Sequence, residues 1–143
     1  MRVNDVLTSK GSDEVFTISP DASVSQLLDV LAELNIGALV VRRDDDDAIA
    51  GIVSERDIVR KLRGVEDPRT ATVATIMSEQ IQVCSPETPL AELTATMTEY
   101  RVRHVPVVDD GRLVGLVSIG DAVKYRMDQL QFERDQLEQY VQG

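Results

Sequence analysis

Two short stretches place the same reactive groups at the same spacing. Ser54 and Asp57 stand three residues apart in SERD, and Ser118 and Asp121 do so in SIGD. A hydroxyl followed by a carboxylate at that interval has two chemical uses. In a capping box, the serine oxygen accepts the backbone N–H three residues on, and the acidic side chain accepts the serine N–H. An aspartate in the first turn also suits the helix dipole. In a ligand site, the same helix start offers N–H groups and partial positive charge to a phosphate. The hydroxyl adds a donor, and the carboxylate accepts from a pair of sugar hydroxyls. Each stretch also follows a glycine, Gly51 or Gly115, inside an apolar run. Capping does not require that glycine, whereas the close approach of another backbone or of a ligand does.

Other chemistries find little material. Cys84 and His104 are the one cysteine and the one histidine, far apart in sequence and without an evident third partner. That argues against nucleophilic or zinc chemistry, so no catalytic residue and no metal ligand is expected. Cys84 has no second cysteine to pair with and reads as a buried, inert thiol. Asp44–Asp47 reads as a solvated hairpin tip rather than a cation site. A formal net charge of −10 repels phosphate backbones and anionic lipid, so nucleic acid and membrane are not expected partners. A small anionic ligand stays open, because local basic residues and helix ends can overcome the global field. No apolar run approaches the roughly 18 residues of a membrane span, and MRVNDVL lacks an apolar signal region. The expected compartment is the cytoplasm.

The elements that position these groups occur twice. Ser19-Pro20 recurs as Ser85-Pro86 about 66 residues on, and Val41 recurs as Val107. The drift in offset falls in polar loops, where insertions are tolerated. Each copy begins with a lead-in, RVNDVL or TVATIM, the first followed by the longer loop TSKGSDE. A brief strand follows, Val15–Ser19 or Ile81–Cys84. An amphipathic helix comes next, marked by Val24, Leu27, Leu28, Leu31 and Leu34, or by Leu90, Leu93, Met97 and Tyr100, with Pro89 suited to a first helical position. Two strands then turn at DDDD or DDG. A last helix begins at the Ser-x-x-Asp, the first running Ser54–Arg63 and ending at Gly64. With 43% apolar residues and 3% aromatic, the core must be aliphatic. The expected class is α+β: two β-α-β-β-α repeats, 1–64 and 72–127, joined by a linker at 65–71. A C-terminal helical extension occupies 128–143. At roughly 60 residues neither repeat buries its sheet well alone. Packing about a pseudo-twofold axis would place the two junctions in related clefts. In the tail from Asp121 onward, Val123, Met127, Leu130, Leu137 and Val141 recur at helical steps, interrupted by Arg134. That stripe suits packing on the body or on a second subunit.

In this order and spacing the two GIVSERD and GLVSIGD motifs, the block RHVPVVDDGRLVGLVS and the duplicated Ser-Pro helix starts resemble a tandem pair of CBS domains. The likeness covers about Arg2 to Met127. It implies regulatory modules whose paired halves hold adenosine-containing ligands. By that likeness Asp57 and Asp121 bind ribose hydroxyls, and Ser54 and Ser118 contact phosphate or ribose. Arg56, Arg103 and His104 reach phosphate, against the rival reading of solvated cations at helix ends. Gly37, Ala38 and Val102 border an adenine pocket, although Gly37 equally suits a helix C-cap. The second motif departs from the first, because Ile119-Gly120 supplies no base where Arg56 stands. The two sites are therefore not expected to be equivalent.

The resemblance leads to a stand-alone module that binds an adenine nucleotide, AMP or ATP first, with ADP, NAD and S-adenosylmethionine also open. It would report the ligand's level to an unidentified effector protein, and a homodimer is expected. The alternative is a structural or protein-interaction module with vacant nucleotide sites. An enzyme is not expected.

Overall fold

The computed structural model describes residues 1–11 and 14–142, so the middle of the TSKGSDE loop and the last residue of the C-terminal extension lie outside the described residues. The chain divides into two compact units. One is Val15–Gln82; the other combines Met1–Glu14 with Val83–Gly143.

The Val15–Gln82 unit contains β1 (Thr17–Ile18), α2 (Val24–Leu34), β2 (Ala38–Arg42), β3 (Ile49–Ser54), α3 (Glu55–Lys61), a 3-10 turn at Pro68–Thr70 and α4 (Val73–Ile76). Its sheet has the order β1-β2-β3, with β1 parallel and β3 antiparallel to β2. Ser23 starts α2 with a full capping box: its Oγ accepts Gln26 N at 3.1 Å, and Gln26 Oε1 accepts Ser23 N at 2.9 Å. The helix occupies the predicted residues, and its buried side chains Val24, Leu27 and Leu31 follow the three- and four-residue steps. They pack with Leu39, Val41 and Val53 of the sheet and with Val73 and Ile76 of α4.

The other unit contains α1 (Val3–Ser9), α5 (Leu90–Tyr100), β4 (His104–Asp109), β5 (Arg112–Ser118) and α6 (Ile119–Gln142). Here Val3, Val6, Leu90, Leu93, Met97, Val105, Val107, Val117 and Ala122 form the core. The β4–β5 hairpin closes at Asp110 and Gly111, with φ of 50° and 77°, as a two-residue turn with both residues left-handed requires. The C-terminal extension is not a separate element. It continues the repeat's last helix without a break, so α6 runs 24 residues.

The sequence repeats and the compact units are cut differently. The lead-in of the first repeat packs with the second: Val3 N donates to Thr88 O at 2.9 Å and Leu90 N to Met1 O at 3.0 Å. The lead-in of the second packs with the first: Val73 N donates to Ala22 O and Val24 N to Ala71 O, both at 2.8 Å. Each lead-in thus starts the helix core of the other copy, and a division at 1–64 and 72–127 leaves both cores incomplete.

Four local expectations are corrected. The strand at Ile81–Cys84 is reduced to a single bridge, Cys84 to Val107, so the second sheet has two strands. The equivalent of the Thr17–Val40 pair would be Val83 with Pro106, and proline has no N–H to give. Pro89 caps α5 rather than opening it, with ψ of 140°. The next N–H, that of Leu90, is needed by Met1 O. Gly37 is not a helix C-cap. Asn35 takes the left-handed position after α2, at φ 52°, and Arg101 does so after α5, at φ 54°. The first Ser-x-x-Asp helix is also shorter than Ser54–Arg63, ending in Leu62 as its cap.

Candidate functional site

Both junctions form capping boxes. Ser54 Oγ accepts Asp57 N at 3.4 Å, and Asp57 Oδ2 accepts Ser54 N at 2.9 Å. Ser118 Oγ accepts Asp121 N at 3.0 Å, and Asp121 Oδ2 accepts Ser118 N at 2.9 Å. The first amide of each helix is also taken: Glu55 N donates to Gly37 O at 3.0 Å, and Ile119 N to Arg103 O at 2.8 Å. The open row of N–H groups expected at a helix start is therefore largely committed. What remains for chemistry are the carboxylates and the cations around them.

Each carboxylate meets a lysine that the sequence reading did not single out. Lys61 Nζ lies 3.3 Å from Asp57 Oδ1 and donates to Ile76 O at 2.8 Å, tying α3 to the end of α4. Its four-residue spacing from Asp57 was a readable signal. Lys10 Nζ lies 3.0 Å from Asp121 Oδ2 and donates to Leu116 O at 2.9 Å. No local pattern announces a partner so remote in sequence. Burial alone would raise the Asp121 carboxyl, but the Ser118 N–H and the Lys10 ammonium outweigh it and hold the group below its ordinary value. Asp121 is thus ionised at neutral pH.

The repeated glycines prove to be packing requirements. A Cβ on Gly51 would stand 2.3 Å from Ser78 O, because Ser78 pairs with Ile52 along the outer edge of β3. A Cβ on Gly115 would stand 2.7 Å from Leu7 Cδ2. The two lead-ins cause the difference. The second turns extended at Met77 after four helical residues, whereas the first stays helical through Ser9. The edge of β5 is therefore covered by the Leu7 side chain, and its Leu116 carbonyl is bonded by the Lys10 ammonium instead of a backbone N–H.

The other predicted residues divide between the units. In Val15–Gln82, Gly37 and Ala38 adjoin the first junction: Ala38 is opposite Ser54 in the sheet, but its methyl is buried at 2% exposure. Arg56 is exposed on α3, and the Glu55 carboxylate lies 3.8 Å from where a Gly37 Cβ would be. In the other unit, His104 pairs in register with Ser118, and exposed Arg103 precedes it. Val102 packs half-buried on the unit's own core. The second junction thus gathers Lys10, Arg103 and His104, while the first mixes Arg56 and Lys61 with Glu55. Ile119-Gly120 carries no base, and Lys10 is the cation that pairs with Asp121.

The remaining candidates behave structurally. Burial pushes the Cys84 thiol up to about 11, which leaves it protonated at neutral pH. Asp45 and Asp46 pair with Arg43, and Asp44 accepts from Ser19 Oγ at 2.7 Å. No group of three or more potential metal ligands occurs among the described residues. No helix among them is long and apolar enough to cross a membrane.

Comparison with known proteins agrees with this architecture. The CBS domain family model matches twice, at residues 3–64 and 73–128. The CBS domain-containing protein CBSX3, mitochondrial, of Arabidopsis thaliana is 34% identical over 149 residues, covering 99% of this chain and 72% of that protein. The CBS domain protein of Pyrobaculum aerophilum complexed with AMP is 27% identical, with a TM-score of 0.74, over 85% of this chain and 89% of that one. The CBS domain pair of protein MJ0100, in complex with 5′-methylthioadenosine and S-adenosyl-L-methionine, is 25% identical, with a TM-score of 0.78, over 90% of this chain and 98% of that one. A duplicated α+β pattern, two capped Ser-x-x-Asp junctions and these matches lead to one conclusion: the chain belongs to the CBS domain family and carries two copies of the domain.

Proposed function

We propose that the chain is a regulatory module that binds an adenosine-containing nucleotide, AMP or ATP in the first instance, and passes its occupancy to an effector protein. The observation that carries the reading is the Asp121 junction. An ionised carboxylate stands at the start of a long helix with Lys10, Arg103 and His104 close in the fold, a combination suited to sugar hydroxyls and an adjoining phosphate. Structural relatives crystallised with AMP and with S-adenosylmethionine support adenosine as the shared part of the ligand. In this reading Asp121 and Asp57 take ribose, and Ser118, Ser54, Arg103, His104 and Arg56 lie toward phosphate. Gly37 and Val102 border adenine; Ala38 could do so only through its backbone, since its methyl is buried. The sites are unequal, with the Asp121 junction the better endowed in cations. Binding acts by population shift, favouring one arrangement of the protein and of its homodimer. The module works in the cytoplasm and performs no catalysis of its own.

A thermal-shift panel of AMP, ADP, ATP, NAD and S-adenosylmethionine tests this. At least one should raise the Tm of the wild-type protein. Asp121→Ala should remove most of that shift, and Asp57→Ala less of it. If none of the five stabilises the protein, the module is a structural or interaction element and the nucleotide reading fails.

A further inference from the structure

Lys10 offers more than a counter-ion to Asp121. Its ammonium has three N–H groups. One is directed to Leu116 O at 2.9 Å and one to Asp121 Oδ2 at 3.0 Å, which leaves a third. Asp121 Oδ2 also accepts Ser118 N, and the Ser118 hydroxyl is a further hydrogen-bonding neighbour of the carboxyl. A lysine N–H with no partner among the described residues and an ionised carboxylate therefore lie side by side at the start of α6. At the first junction the lysine comes from the same helix as its carboxylate, Lys61 Nζ lying 3.3 Å from Asp57 Oδ1. Lys61 is also drawn back to Ile76 O and Met77 O, at 2.8 and 3.4 Å. The lysine side chains at both junctions are partly exposed, 37% for Lys10 and 42% for Lys61, so access does not distinguish them.

We infer that Lys10 is a ligand-binding residue of the Asp121 junction, its ammonium meeting the phosphate of a nucleotide whose ribose is held by Asp121. The inference rests on the nucleotide reading above and adds to it a residue from outside both Ser-x-x-Asp motifs. It explains how a motif without a base of its own can take an anion. It also makes the N-terminal segment part of the site, because Lys10 is the residue that caps α1.

The test compares AMP with adenosine, which lacks the phosphate, on wild-type protein, Lys10→Met, Lys10→Arg and Asp121→Asn. AMP affinity is read by calorimetry, adenosine by saturation-transfer NMR with AMP competition, and folding by far-UV circular dichroism. Lys10→Met should weaken AMP about 10- to 100-fold, the size of a charge-assisted hydrogen bond, and leave adenosine within about threefold. Lys10→Arg should keep AMP within about threefold, since the charge remains. Asp121→Asn should weaken both ligands. Equal loss of AMP and adenosine in Lys10→Met would show that the lysine only positions Asp121, and unchanged AMP affinity would show that it does not meet the ligand; either overturns the inference. Failure of the wild-type protein to bind AMP overturns the inference, and failure of all five ligands of the thermal-shift panel overturns the nucleotide reading as well.

Discussion

Substituting each repeated glycine by alanine separates two packing arrangements that the sequence writes identically. In Gly51→Ala the new methyl would stand 2.3 Å from Ser78 O and 3.2 Å from Ser78 C, both backbone atoms. Relief requires moving the Ser78 strand away from Ile52, and so breaking Ile52 N to Ser78 O at 3.0 Å and Ser78 N to Ile52 O at 2.8 Å. Two backbone bonds at about 1 kcal/mol each, with overpacking of about 1–3 kcal/mol, give a loss of about 3–5 kcal/mol. In Gly115→Ala the obstacle is Leu7 Cδ2 at 2.7 Å, the far end of a half-buried side chain that can turn. A loss of about 1 kcal/mol is expected there. Alanine also restricts the unfolded chain by about 0.5 kcal/mol in both variants, which cancels in the comparison. Urea unfolding followed by far-UV circular dichroism measures both losses. Adding Leu7→Ala to Gly115→Ala should give a favourable coupling of about 1 kcal/mol, and no second substitution of a side chain should rescue Gly51→Ala. The reasoning is refuted if Gly51→Ala stays within about 0.5 kcal/mol of wild type, or if the two glycine variants lose equally and Leu7→Ala shows no coupling.

Two further outcomes follow from the electrostatics. Because the folded protein holds the Asp121 carboxyl below its ordinary value of 3.8, the group stabilises the fold above that pH, and the contribution is lost as pH falls through the lowered value. Asp121→Asn should therefore be less stable than wild type at pH 7 and begin to converge with it as pH falls below about 3.8, as read by thermal unfolding across pH. Cys84, with its thiol pushed up to about 11 by burial, should react slowly with a thiol reagent at pH 8 and rapidly once urea unfolds the protein; equal rates in the two conditions would contradict the burial.

Much of this fold could be read from local pattern. The boundaries of α2 and α5 fall where Ser23 and Pro89 precede apolar residues at helical spacing, and both hairpins turn where aspartates or Asp-Gly interrupt alternating valines. The repeat itself was plain from Ser-Pro and Gly-x-x-Ser. What could not be read were facts that depend on which distant segment arrives. Gly51 and Gly115 announced a close approach, but not that one meets backbone and the other a leucine. The loss of the strand before Ser85 turned on Pro106 across the sheet. Lys10 lies in a polar loop with no spacing that links it to Asp121, so the second junction looked poorer in charge than the fold makes it. The exchange of lead-ins left no mark at all, because Val3 and Val6 have the same spacing as Val73 and Ile76 and would suit either core.

That exchange governs how the chain is assembled. The unit from Val15 to Gln82 is contiguous and can close as soon as it has been synthesised. The other must join its first residues to α5, β4 and β5, across the entire intervening unit. Val3, Val6 and Leu7 therefore stay without their core while most of the chain is made, and their docking is a long-range, late event. The segment that delivers Lys10 thus leaves the ribosome well before the core it joins and is among the last to find its place.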